Sequence, residues 1–298
     1  MQPLVSISII AFNQRSLISE TIDSVLSQEY SRLQIVVADD GSTDGTENII
    51  LDYARRWPDK IVALTGGPNL GITGNSNRAL GACKGKYIAF MGGDDLMLVG
   101  KIAKQVEYME AHPECSICFH NVDVFNTEDG ITLRRFNNWK TPRIGTMRTV
   151  LRDKTYNCAC ATMCRSKDCP SGGFDEALSL SSDWKFWLET LACGGQMHFI
   201  PEVLGRYRRH AGNITARGGA SYKICQSDHL NTIRWMMVCY PQYYVEVISA
   251  LAETLRQMRW ISSATYLDYL QMSLRTRITI RALVAFIAYK FTFGRVAL

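Results

Sequence analysis

The sequence predicts an α/β fold: a mostly parallel central sheet flanked by helices, with a helical C-terminal region. Three observations carry this. Short runs rich in β-branched residues alternate with segments of helical periodicity over the first 110 residues. Polar clusters fall at the ends of three of those runs, and beyond about residue 216 turn signals thin out and helical patterns dominate.

Val5–Ile10 is the first strand run, after which Leu17, Ile18, Thr21, Ile22, Val25 and Leu26 recur at helical spacing. Leu33–Ala38 is the second, followed by the turn Asp39-Asp40-Gly41-Ser42 and a helix with Ile49, Ile50, Tyr53, Ala54 and Trp57 on one face. Ile61–Leu64, a helix over about Thr73–Cys83 and the strand Tyr87–Met91 complete the series. Repeated strand–helix units imply parallel strands covered on both faces. Ligands of such sheets bind at the carboxyl ends of the strands, where Asn13, Asp39-Asp40 and Gly92-Gly93-Asp94-Asp95 fall. Further on, Ser116–Phe125 and Gly130–Phe136 read as a hairpin, then an irregular stretch carries Trp139, Pro142 and Gly145. A strand is expected near Asn157–Cys164 and a helix over Ser182–Leu191; Tyr222–Val238 and Tyr243–Tyr269 read as long helices before a basic tail.

With 298 residues, of which 47% are hydrophobic, the chain buries a core without disulfide staples. Its net charge of +5 is mild and interleaved, so no nucleic-acid partner is expected. The excess is local: residues 271–298 carry Arg275, Arg277, Arg281, Lys290 and Arg295 with no acidic residue, and the first 270 residues balance at 28 of each sign. No basic n-region or small-residue cleavage site marks the N-terminus, so a cytoplasmic location is expected. The late apolar run Ala282–Tyr289 is about half the length of a spanning helix. Ten cysteines in such a chain read as reduced core residues; Cys115-x-x-Cys118 with His120, and Cys158, Cys160 and Cys164, lack the paired spacing of a zinc module.

Four motifs carry chemistry. In Val36–Thr46, Asp39 and Asp40 at a strand end could accept hydrogen bonds from a base imide or ribose hydroxyls, or simply form an Asx turn with a helix cap. In Phe90–Asp95, glycines permit close backbone approach and adjacent carboxylates suit a hard divalent cation bridging a diphosphate; the plain alternative is again a capped turn. In Gly173–Glu189, Asp183 opens an aromatic helix and is either a general base with a raised pKa or a helix N-cap. In Arg206–Asn213, a cationic loop with one imidazole could neutralise phosphate and supply a nitrogen ligand.

Taken together, Val5–Asn13 with Gln28, Asp39–Thr46, Tyr87–Asp95 and Gly173–Leu188 followed by Arg206–Asn213 make the sequence resemble an inverting glycosyltransferase of family two with the GT-A fold. The resemblance covers about residues 3–215. It implies a catalytic domain over 1–215, with a nucleotide-binding half at 1–112 and an acceptor or catalytic half at 113–215, and a helical region at 216–298. It further implies that Ala11, Asn13 and Asp40 hold the base with Asp39 alongside, and that Gly71 and Asn77 line the nucleotide pocket. Gly93 and Asp94 lie at ribose and metal, and Asp95 and His210 sit on Mn2+ or Mg2+ and the diphosphate. Arg208 assists the leaving group, Asp183 is the base, and Trp184 lies where donor and acceptor meet.

The expected partners are a nucleotide sugar, UDP-linked by preference, and a glycan or polyprenyl-diphosphate-linked acceptor. The expected setting is bacterial surface polysaccharide assembly. Two departures stand out: Gly92 occupies a position where many members carry Asp, and Ser182 one where Glu is common. A nucleotide-sugar-binding protein without turnover, and a sugar-phosphate nucleotidyltransferase, are the competing readings; the second lacks its glycine-rich basic loop where Ala11-Phe12-Asn13-Gln14 stands. Segment 271–298 either lies on the inner face of an anionic membrane or packs on the protein or a second copy in a homo-oligomer.

Overall fold

The computed structural model describes residues 1–153, 157–210, 212–213, 220–258, 263–276 and 280–291. The strand runs and periodic segments of the first hundred residues become β1 (Val5–Ala11), α1 (Ile18–Leu26), β2 (Leu33–Asp39), α2 (Thr46–Arg56), β3 (Ile61–Leu64), α3 (Gly71–Ala82) and β4 (Tyr87–Gly92). These four strands pair in parallel in the order β3-β2-β1-β4. Every residue from Val5 to Ile9 and from Ile35 to Ala38 is buried, so both faces of the sheet are covered and the runs read as continuous rather than alternating. The buried Ser6 hydroxyl is satisfied: it donates to Gln34 Oε1 and accepts from the Lys84 and Gly85 N–H groups.

The chain continues through β5 (Leu96–Met97), α4 (Lys101–Ala111), β6 (Cys115–Asn126), β7 (Thr132–Arg135), β8 (Ile144–Gly145), α5 (Met147–Asp153), β9 (Thr162–Arg165), α6 (Ser182–Leu191) and β10 (Gln196–Arg209). Antiparallel β9 joins β4 to β6, β10 runs parallel to β6, and β5 closes the ten-stranded sheet. The expected hairpin is present as β6 and β7.

Three expectations are corrected. The stretch expected as a strand from Asn157 begins instead as a turn of 3₁₀ helix, Ala159–Ala161, and only Thr162–Arg165 joins the sheet. Thr162 Oγ1 donates to the Cys158 carbonyl and accepts from Asn157 Nδ2, local bonds that hold the chain in a turn rather than a ladder. Strand β10 was not anticipated; Pro201 interrupts its pattern where the register with β6 slips between Ile200 and Val203. As a result Arg206–Arg209, read as a loop, is the end of a strand.

The C-terminal region comprises α7 (Ala220–Cys239), α8 (Tyr244–Gln257), α9 (Ser263–Thr276) and α10 (Ile280–Phe291). The single helix expected over Tyr243–Tyr269 is thus two, and no glycine or proline marks the boundary.

Two compact units are formed, one from Met1–Met147, Thr155–Ala177 and Phe186–Asn213, the other from Arg148–Lys154, Leu178–Lys185 and Ile214–Leu298. In the first, Phe90 meets Phe174, Phe186 and Trp187 edge-on at 5.4–6.0 Å, the arrangement favoured by the ring quadrupoles. In the second, Tyr289 and Phe286 of α10 pack with Tyr266, Leu267 and Leu270 of α9. One face of the tail therefore has the packing role, whereas Leu283, Val284 and Ile287 are exposed. Arg277, Arg295 and the side chain of Arg281 lie outside the described residues. Among the described residues no helix is long and apolar enough to cross a membrane.

Candidate active site

At the end of β2 the acidic pair is built into a turn. Asp39 accepts from the Ser42 N–H and hydroxyl, so the Asx-turn reading holds for its carboxylate. Asp40 Oδ1 accepts from the Leu70 N–H, and Asn69 Nδ2 donates to the Asp40 carbonyl, which fastens the loop before α3. Asn13 has φ 51°, a left-handed conformation that asparagine tolerates better than most side chains. Its N–H donates to Ser42 Oγ and its Oδ1 accepts from Thr43 N–H, so it locks the ends of β1 and β2 together. Ala11 is buried beneath them and its carbonyl accepts from the Asp40 N–H.

Gly71, with φ 73°, opens α3 and is exposed. Asn77, expected to line the nucleotide pocket, is tied to the loop after Gly173. Its amide donates to the Phe174 carbonyl and to Glu176, and accepts from the Phe174 N–H, so it clamps the loop after Gly173.

At the end of β4, both glycines have physical reasons. A Cβ on Gly93 would lie 2.3 Å from Gln14 Oε1 and 3.1 Å from Ala11 Cβ, so a larger residue would have to displace Gln14 and push this loop from the end of β1. A Cβ on Gly92 would lie 2.6 Å from Asp94 Oδ1. Here the Asp94 carboxylate leans back over Gly92, and its Oδ2 is 2.9 Å from His210 Nε2.

Asp95 is buried, and burial followed by the neighbouring Asp94 charge pushes its carboxyl well above the usual range. Its Oδ1 accepts from the Arg208 N–H. The Arg208 guanidinium, placed beside the diphosphate by resemblance, is engaged from behind: Nε donates to the Asp94 carbonyl, Nη2 pairs with Glu20, and the group lies over the Phe125 ring. Glu20 was not anticipated because it lies 188 residues from Arg208 with no local signature.

In the second unit, Asp183 stands on the first turn of α6, where its Oδ1 accepts from the Trp184 N–H, one of the helix's unpaired donors. Burial pushes its carboxyl up to about 6 against the lowering pull of the Trp184 and Asp183 N–H groups, and the Asp228 carboxylate adds to the rise. Asp228, on α7, is a second unanticipated residue: it accepts from the Leu180 and Ser181 N–H groups at 2.8 and 2.9 Å and so fixes the entry to α6. Trp184, expected where donor and acceptor meet, has a wholly buried ring; its Nε1 donates to the Val150 carbonyl and His229 meets it edge-on.

Of the expected metal ligands, Asp94 and His210 converge. Among the described residues no three His, Cys, Asp or Glu side chains gather into a cage, so Asp95 does not complete a triad. One carboxylate oxygen and one imidazole nitrogen are donors that could hold a divalent cation such as Mn2+, which would supply charge stabilisation to a phosphate group.

The sequence profile of Glycosyl transferase family 2 matches residues 6–170, more than half of the chain. An uncharacterized protein of Mycobacterium tuberculosis is 33% identical over 211 residues, 70% of this chain and 60% of that protein; the chain thus spans less than two thirds of that relative's length. The Escherichia coli UDP-Glc:alpha-D-GlcNAc-diphosphoundecaprenol beta-1,3-glucosyltransferase WfaP is 30% identical over 213 residues, 72% of this chain and 80% of WfaP. Among solved structures, residues 1–349 of S. aureus TarS in complex with UDP-GlcNAc superpose with a TM-score of 0.70 at 14% identity, covering 98% of this chain and 88% of that one. The mannosyltransferase PcManGT of Pyrobaculum calidifontis, in complex with GDP-Man and Mn2+, gives a TM-score of 0.63 at 18% identity, covering 99% and 81%. At those identities the structures speak for the fold, which is GT-A-like. The sequence speaks for the lineage: the chain belongs to glycosyl transferase family 2.

Proposed function

We propose that this chain is an inverting glycosyltransferase that moves one sugar from a nucleotide sugar, preferably UDP-linked, to a hydroxyl of a glycan or polyprenyl-diphosphate-linked acceptor. The observation that carries the reading is the Asp94–His210 pair at the carboxyl end of β4, in a chain of family 2. The names of WfaP and TarS support the choice of UDP over other bases, and WfaP supports a diphosphate-linked lipid acceptor. In this reading residues 1–112 hold the donor, residues 113–215 serve acceptor and catalysis, and the reaction takes place at the inner face of a bacterial membrane.

Asn13, Asp39, Asp40 and Gly71 frame the nucleotide, with Ala11 as floor and Gly93 admitting the ribose and diphosphate. Asp94 and His210 would hold Mn2+ or Mg2+, which when bound offsets charge on the diphosphate leaving group. Asp95 and Arg208 keep the Asp94 loop in place. Asp183 takes the proton of the acceptor hydroxyl as that oxygen attacks the anomeric carbon opposite the departing diphosphate, so an α-linked donor yields a β-glycoside. A carboxyl with a pKa of about 6 is ionised at neutral pH yet more basic than an ordinary aspartate. Against the reading without turnover stands the packing at Gly92, where a side chain would crowd the Asp94 carboxylate.

The test is a panel of UDP-, GDP- and dTDP-sugars with Mn2+, following nucleoside diphosphate release with and without a lipid-diphosphate sugar acceptor. Release from one donor that depends on acceptor and metal is expected. Nucleotide binding with no release from any donor would overturn the proposal.

A further inference from the structure

Residues 130–147 contain Arg134, Arg135, Lys140 and Arg143 and no acidic residue. The same stretch exposes Ile131, Leu133 and Ile144 by 56–60% and Trp139 by 88%. All of it lies in the first unit, whereas residues 271–298, the expected carriers of the basic excess, belong to the second.

The segment is fixed rather than loose. Asn121 of β6 donates to the Asn137 carbonyl and accepts from the Asn137 N–H, and the Phe199 N–H of β10 donates to the Arg143 carbonyl. Between these anchors it lines a shallow groove of about 470 Å³ with Asn121, Arg135, Asn137, Trp139, Arg143 and Phe199. Arg143 lies over the Phe199 ring and Lys140 over Trp139. Acidic groups nearby include Asp123, which lies 4.0 Å from Arg135; Glu128 and Asp129 in the β6–β7 turn; and Glu202, beside Pro201 of the groove and itself paired with Lys104.

We infer that residues 131–144 form a docking surface for an anionic phospholipid bilayer, with Trp139 and the exposed aliphatic side chains entering the headgroup boundary and Arg135, Lys140 and Arg143 meeting lipid phosphates. An indole that is apolar in body and polar at one edge suits that boundary. Exposed isoleucine and leucine beside it separate a bilayer from a soluble glycan, which an aromatic and amide groove would hold without aliphatic neighbours. Each cation near an anionic leaflet strengthens partition about fivefold.

The experiment is flotation of the full chain with vesicles of phosphatidylglycerol and phosphatidylcholine in equal parts, against phosphatidylcholine alone, together with tryptophan emission of wild type and Trp139→Phe. No donor or acceptor is present, so the result is independent of the transferase reading. The wild type should float with the anionic vesicles, less so at high salt, and the wild-type minus Trp139→Phe emission should shift to the blue. The double variant Arg135→Gln, Arg143→Gln should bind about 25-fold more weakly, two cations at about fivefold each, and Trp139→Ala should bind more weakly still in combination. Undiminished flotation of these variants with loss in Leu283→Ser, Ile287→Ser would overturn the proposal in favour of α10. A Trp139 emission shift with a soluble oligosaccharide and none with vesicles would overturn it in favour of a glycan groove.

Discussion

The acidic pair at the end of β2 in the first unit and the aspartate at the start of α6 in the second are held differently. Asp39 and Asp40 accept backbone N–H groups from Ser42 and Leu70, bonds that tie the strand end to the loops beside it. Asp183 accepts a neighbouring N–H on its own helix, and dry surroundings with the Asp228 carboxylate raise its affinity for a proton. The contrast teaches a division of labour: the β2 pair fixes a loop geometry, while Asp183 takes up a proton at near-neutral pH.

The comparison breaks first at Asp183. Asp183→Asn should lower the transfer rate by about 10²–10⁴-fold and leave nucleotide binding by thermal shift in place; a near wild-type rate would remove Asp183 from the base role. Next comes the Asp94–His210 pair. His210→Ala should reduce kcat by about 10²-fold with a higher metal requirement, and Gly92→Ala should do part of the same, because its Cβ would turn the Asp94 carboxylate away from His210. A metal titration of diphosphate release reads both.

Asn77→Ala tests a structural clamp. It leaves the Phe174 N–H and carbonyl without their partner, so stability in urea should fall by about 1–3 kcal/mol. The smallest effect is expected at Asp228. Asn in its place keeps an acceptor for the Leu180 and Ser181 N–H groups but removes the like charge, so the acidic limb of kcat/KM should move to lower pH. A shift to higher pH would contradict the electrostatic account.

Much of the fold, and the polar strand ends that make up the candidate site, were legible in the sequence, because strand runs, helical periodicity and polar strand ends are local signals. Asp39, Asp40, Gly93 and Asp94 fall at such ends, whereas His210 follows a strand that the sequence did not announce and stands out only through its cationic motif. What escaped notice depends on contacts far apart in the chain. Glu20 reaches Arg208, Asn77 reaches Phe174 and Asp228 reaches Leu180 across 188, 97 and 48 residues. The place of Trp184 came from the resemblance alone, and sequence gives no sign of whether such a ring is exposed or, as here, wholly buried. β10 was missed because Pro201 breaks the alternation by which a strand is recognised. The basic excess of the tail drew attention from residues 130–147, whose charge is diluted by the acidic turn just before it.

The most direct measurement is the pH dependence of kcat/KM for sugar transfer by the wild type, with metal saturating at every pH. Because Asp183 must be ionised to accept the acceptor's proton, activity should be fully developed above its pKa and fall about tenfold per pH unit below it, with the break near 6. A profile that stays flat from neutral pH down to the ordinary carboxylate range would contradict the assignment of Asp183 and with it the proposed mechanism.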